Sequence, residues 1–197
     1  SDVCSSDLVI ADANGPEALG GVIGGEATGC TEATTEVFIE AALFDPVRTA
    51  TTGRRHEILS DARYRFERGL DPAAVIEGME AATRMILELC GGEVSELVIT
   101  GQPPGWQRTY ALRSERLYGL GGLDIPAAEA AEILQRLGCT VTQSANGYQV
   151  APPPWRSDIH GEADLVEEVG RIYGYDRIPN VSLVRGGAVS KPALTPP

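Results

Sequence analysis

Two spacings of apolar residues alternate along the 197-residue chain. Short runs rich in β-branched residues predict strands at Leu8–Asp12, Glu36–Ala42, Glu93–Thr100 and Arg108–Leu112. Spacings of three and four predict helices between them. Asp45-Pro46 sets a capping aspartate before a first-turn proline, and a short helix should run to about Gly53. Asp71-Pro72 repeats that start. The helix from Pro72 to Cys90 is expected to bury Val75, Ile76, Met79, Ala82, Ile86 and Leu89, with Met79 and Met85 as core filler, and to stop at Gly91-Gly92. Ser114 should cap a short helix to about Leu120. Ile125-Pro126 opens another, with Ala130, Ile133, Leu134 and Leu137 on its apolar face and Gly138 as its stop. Cys139–Gln143 and Tyr148–Ala151 flank Asn146-Gly147, a hairpin signal. The last helix should start near Glu162 and end at Gly174, with Leu165, Val169, Ile172 and Tyr173 facing inward.

Gly101-Gln102-Pro103-Pro104-Gly105 reads as a linker. It divides the chain into a first domain over residues 1–100, a linker over 101–107 and a second domain over 108–180. Residues 181–197, rich in glycine and proline, read as a linker to a further part. The chain opens on Ser1 in mid-pattern, so a longer polypeptide is expected. Strands mixed with helices make the fold class α/β (α+β), and helices with a small hairpin make the second domain winged-helix-like.

Composition narrows the function. A net charge of −12 has the wrong sign for a surface that grips phosphate everywhere, so any nucleic-acid contact must be local. Apolar residues make up 43%, enough for a packed core. No apolar run reaches membrane-spanning length, and no signal segment opens the chain. Cys4, Cys30, Cys90 and Cys139 are scattered without a C-x-x-C pair, which points to small buried thiols in a reducing compartment.

Four stretches carry candidate chemistry. Gly20-Gly21-Val22-Ile23-Gly24-Gly25 is either a tight turn beside a sheet or the backbone wall of a pocket; its spacing is neither a dinucleotide fingerprint nor a Walker loop. Glu40 stands in an apolar run, where a carboxylate either points to water or is paired or functional. Arg54, Arg55, Arg63, Arg65 and Arg68 interleave with Tyr64 and Phe66, which suits stacking on an unpaired nucleotide or an arginine–carboxylate network. Asp164, Glu167 and Glu168 share one helical face, and Asp158 lies just upstream. Their hard oxygens suit magnesium over zinc; a basic partner or plain solvent are the other readings. No Ser-His-Asp or Cys-His set is present, so no catalytic residue is assigned.

Several of these stretches also carry a resemblance. P-P-x-W-R-x-D at 152–158, D-L-x-E-E-V at 164–169 and Y-G-Y-D-x-I-P at 173–179 resemble the B5 domain of the bacterial phenylalanyl-tRNA synthetase beta subunit. Residues 18–25, 37–42, 44–46 and 60–72 resemble, in that order, the second half of the same family's B3/B4 editing domain. The resemblance covers about residues 8 to 180. Its departures are Ile23 for a usual methionine, Arg63 for a usual small residue and Ser157 for a usual aromatic. It implies a cytoplasmic enzyme of two alpha and two beta subunits that attaches phenylalanine to its tRNA with ATP and magnesium. It also implies hydrolysis of tyrosine wrongly attached to that tRNA. Carried over by motif, it puts Gly24, Glu40, Ser60 and Ala62 at the editing pocket and Asp158, Asp164, Glu167 and Glu168 at magnesium-binding positions. The implied partners are the alpha subunit and tRNA, with no membrane. The alternatives are a freestanding aminoacyl-tRNA hydrolase and a nucleic-acid-binding winged-helix-like module.

Overall fold

The computed structural model describes residues 6–182. The chain packs as two compact units, one made of Ser1–Thr109 with Ala151–His160, the other of Tyr110–Val150 with Gly161–Pro197. Residues 183–197, most of the expected terminal linker, lie outside the described residues.

The first unit begins with an antiparallel hairpin, β1 (Val9–Asp12) and β2 (Gly15–Leu19), in register Val9 to Leu19 and Asp12 to Gly15. The expected strand is present, and β2 was not anticipated. Asp12 makes the turn: its Oδ1 accepts from the backbone N–H of Asn14 at 2.7 Å and of Gly15 at 3.2 Å. Pro16 sits in a two-stranded ribbon, where a missing ladder donor is tolerated.

Helix α1 (Pro46–Arg55) starts as its sequence predicts, with Pro46 in the first turn and Asp45 accepting from Arg48 N at 2.8 Å. Its buried positions are Thr49, Thr52 and Gly53, and Gly53 lies against the side chain of Arg63. That contact seats a second helix, α2 (Asp61–Phe66), on α1. Six residues without an apolar period gave no helical signal.

Helix α3 (Val75–Cys90) starts three residues later than expected, because Asp71 accepts from Ala73 N at 2.8 Å and closes a turn instead. None of its residues is buried; Ile76, Met85 and Leu89 are exposed, so the expected buried face and the core role of Met85 are corrected. The strands expected over 36–42 and 93–100 are not formed. Among the described residues their backbone groups meet no neighbouring strand, and alternation alone does not make a ladder.

The second unit holds a three-stranded sheet ordered β3-β5-β4, from β3 (Tyr110–Arg113), β4 (Thr140–Ser144) and β5 (Gly147–Ala151). β3 pairs antiparallel with β5, Tyr110 opposite Val150 and Arg113 opposite Gly147. The hairpin turn falls on Ala145-Asn146, and Gly147 opens β5 at φ +145°. Helix α4 (Ser114–Gly119) begins at Ser114, with Arg113 rather than Ser114 in the cap position. Helix α5 (Ala127–Arg136) and helix α6 (Glu162–Tyr173) pack on each other, α5 against β4 and α6 against β3. The core between them holds Leu112, Leu134, Val150, Leu165 and Val169, all fully enclosed. Each large aliphatic side chain there contributes about 1.5–3 kcal/mol by leaving water. The inner face of α6 is Leu165, Val166 and Val169; Ile172, expected there, is exposed.

Candidate functional site

The four candidate pocket residues belong to the first unit, and its packing accounts for three of them. Ser60 caps α2: its Oγ accepts from Arg63 N at 3.1 Å and donates to the carbonyl of Val22. One hydroxyl thus ties the start of a helix to the glycine turn. Val22 is buried, and two residues on the turn reaches Gly24, where a Cβ would meet nothing within 4 Å. Ala62 stands exposed in the first turn of α2. The Ser60–Val22 bond links the start of α2 to the turn that leads to Gly24.

Phe44, four residues after Glu40, packs against this region. The Phe44 ring packs 5.0 Å from that of Phe66 in α2 and lies against Gly20 and Gly21. Glu40, four residues earlier, has no hydrogen-bond or ion-pair partner among the described residues. Its side chain is exposed, yet partial desolvation by the surrounding chain raises its pKa above the ordinary glutamate value. No hydrogen bond joins it to Gly24, Ser60 or Ala62 among the described residues.

A second polar cluster in this unit escaped the sequence. Asp7, its side chain fully enclosed, accepts from Thr52 Oγ1 at 2.9 Å and Arg55 at 2.6 Å and lies 3.0 Å from His56 Nε2. Its partners are 45 to 49 residues away, so no local motif could reveal it. It secures the start of β1, where Leu8 packs against Gly20 of the glycine turn.

The acidic set is held differently from a metal site. Asp158 is clasped by Arg156 through two bonds, 2.8 Å and 2.7 Å, and that guanidinium lowers its pKa. Asp164 accepts from Gly161 N at 3.0 Å and caps α6. Glu168 is buried, with Arg171 one turn on at 3.1 Å through its Nε. Glu167 lines a groove of about 290 Å³ with Leu123, Val166 and Tyr175. Among the described residues no group of three or more His, Cys, Asp or Glu is arranged to hold a metal. Within the second unit, Asp164, Glu167 and Glu168 as they stand do not form the near-octahedral shell of a magnesium ion. The carboxylate of the helix that the sequence reading passed over is Glu162. It accepts from Arg113 N at 2.8 Å and Arg113 Nη2 at 2.7 Å, and its pKa is lowered chiefly by that side-chain bond.

Cys139 is buried, as thiols were expected to be, whereas Cys30 and Cys90 are exposed. No helix among the described residues is long and apolar enough to cross a membrane.

Comparison with known proteins places both units. The B3/4 domain model matches residues 2–91 and the tRNA synthetase B5 domain model matches residues 110–175. The chain is 61% identical over 98% of its length to a phenylalanine–tRNA ligase beta subunit of Paramagnetospirillum magneticum, covering 24% of that protein. It is 55% identical over 96% of its length to the subunit of the same name in Rhodospirillum rubrum, again covering 24%. For that of Cereibacter sphaeroides the identity is 50% over 96%, covering 23%. The chain thus spans about a quarter of the length of these relatives.

Proposed function

The chain belongs to the phenylalanine–tRNA ligase beta subunits, with a B3/4 domain followed by a tRNA synthetase B5 domain, and we propose that it supports both the charging of tRNA with phenylalanine and the hydrolysis of mischarged tyrosyl-tRNA. In this reading Gly24, Ser60 and Ala62 line the pocket that receives the amino-acid side chain, and Glu40 accepts a hydrogen bond from the tyrosine hydroxyl. The carrying observation is Glu40: a carboxylate without a protein partner, partly desolvated, on the segment that Phe44 anchors against α2 and the glycine turn.

The chemistry favours tyrosine over phenylalanine. A partly desolvated carboxylate lacking a partner gains from a phenol O–H, and phenylalanine leaves it unpaired. The bond is charge-assisted, which sets the discrimination at about 10- to 100-fold. In this reading the small residues Gly24, Ser60 and Ala62 leave room for the ring. The residues at hand supply binding and orientation, and no group is assigned to attack the ester.

Charging belongs to the complete enzyme in this reading, with the partner subunit, ATP and magnesium in the cytoplasm. No step is routed through an ion on Asp158, Asp164, Glu167 and Glu168, because three of them are taken by partners within the chain. Pyrophosphate exchange separates the roles. The 197-residue chain alone should give no phenylalanine-dependent exchange, and the complete ligase carrying this segment should give it. Exchange by the chain alone would overturn this division.

A further inference from the structure

We infer that Asn146, in the turn between β4 and β5, is a site of spontaneous deamidation, and that its conversion to aspartate and isoaspartate loosens the pairing of β3 with β5. The reaction is a property of the hairpin itself and needs neither tRNA nor a partner subunit.

The chain holds two Asn-Gly pairs, Asn14-Gly15 and Asn146-Gly147. Both asparagines are exposed and stand at hairpin turns, one between β1 and β2, the other between β4 and β5. Asparagine is a thermolabile residue, and a following glycine leaves the next backbone nitrogen unshielded by a Cβ. In the reaction the Gly147 nitrogen attacks Asn146 Cγ. The N–Cγ bond forms, the Cγ–Nδ2 bond breaks, and the Gly147 amide proton leaves with the amino group as ammonia. Water then opens the resulting succinimide at either carbonyl. Opening at Cγ gives aspartate on the original backbone; opening at the backbone carbonyl gives isoaspartate, with the chain running through Cγ. One water enters, one ammonia leaves, and nothing is oxidised or reduced.

The two turns hold the pair differently. At Asn14 one carboxylate holds both reacting groups. Asp12 Oδ2 accepts from Asn14 Nδ2 at 2.9 Å, and Asp12 Oδ1 accepts from the Gly15 N–H at 3.2 Å. The Asn14 N–H, at 2.7 Å, is the chief cause of the lowered Asp12 pKa, so the carboxylate stays charged. Removing the Gly15 proton there would set a second negative charge beside the first, which opposes the attack. Asn146 has no such clasp. Its side-chain amide has no hydrogen-bond partner among the described residues. Its carbonyl accepts from Ser114 N at 3.3 Å, a long bond. The Asn146 side chain is therefore free to turn toward the Gly147 nitrogen.

The turn has no slack for the product. A Cβ on Gly147 would collide with the carbonyl of Leu112, so the two backbones already approach closely at this point. Isoaspartate adds one atom to the backbone between residues 146 and 147. Gly147 stands opposite Arg113 and Tyr148 opposite Leu112, so the added atom displaces the end of that ladder. Leu112 is also a core residue, and its displacement reaches the packing of the second unit. The new carboxylate stands in an open hollow of about 640 Å³ that Arg113 also lines. There it competes with Glu162, which holds the Arg113 guanidinium at 2.7 Å.

The test is timed incubation of the folded 197-residue chain in warm, mildly alkaline buffer, followed by tryptic digestion and mass spectrometry. The tryptic peptides 1–48 and 137–156 carry one asparagine each, Asn14 and Asn146, so the two sites are read separately. Native Asn146 should convert about 10- to 100-fold faster than native Asn14, because Asn14 must first break hydrogen bonds to a charged carboxylate. In urea that ratio should collapse, since neither turn survives. Asp12→Ala should speed the native conversion of Asn14, and Asn146→Gln should leave the 137–156 peptide unchanged. Thermal melting of the aged chain should show a lowered transition that the aged Asn146→Gln variant lacks. Native Asn146 converting no faster than native Asn14, or staying intact while the urea sample converts, would overturn the site. An aged chain with Asn146 converted that melts like the fresh one would overturn the consequence for the β3–β5 pairing.

Discussion

At Gly21 the chain turns with φ +69°, and a Cβ there would meet the Phe44 ring at 2.9 Å and Phe66 at 3.0 Å. Both the backbone and the two rings demand glycine. Gly21→Ala should cost about 2 kcal/mol, from left-handed strain together with the displaced rings. Urea unfolding would show it as a lower midpoint with an unchanged slope. A variant as stable as the parent would mean that the aromatic pair does not hold the turn. The same residues show what is legible at this scale. The glycine stretch and Glu40 were visible as oddities in an apolar context, but composition could not choose between turn and pocket wall. Asp7 was invisible, because burial of a carboxylate is decided by Thr52, Arg55 and His56, all far off in the chain.

Among elements, α6 carries the most acid and the clearest consequence. Glu162 joins its first turn to β3 through Arg113, and that contact depresses the Glu162 pKa. A depressed carboxylate pKa contributes stability that is present above the unfolded value and is lost as pH falls through the folded one. The melting temperature of the second unit should therefore fall as pH drops below the ordinary glutamate range of about 4.3. Glu162→Gln should melt lower at neutral pH, and its gap to the parent should close in acid. Magnesium should leave both transitions in place, since Asp158, Asp164 and Glu168 already have protein partners. A gap independent of pH would contradict the role of Glu162, and a magnesium-dependent rise would return these carboxylates to a metal. Helices such as α1, α5 and α6 were readable because cap, period and stop all lie within the element. The unformed strands over 36–42 and 93–100 were misread because strand formation depends on a neighbour that local alternation cannot supply. Helix α2 was missed because its six residues are fixed by Ser60 bonding to Val22, a contact 38 residues long.

Across the molecule the two units are held by different means. The second is built on an enclosed aliphatic core. The first relies on the Leu8, Phe44 and Phe66 packing around glycine and on the Asp7 cluster, and it leaves α3 without a buried residue. The first unit thus rests on polar clamps around thin packing. The most direct test is hydrolysis of tyrosyl-tRNA by the complete ligase carrying Glu40→Ala in this segment, with phenylalanine charging measured alongside. Clearance of tyrosyl-tRNA should slow by about 10- to 100-fold while charging stays near the parent rate. Unchanged clearance in an enzyme that still charges phenylalanine would remove Glu40 from the pocket and contradict the account.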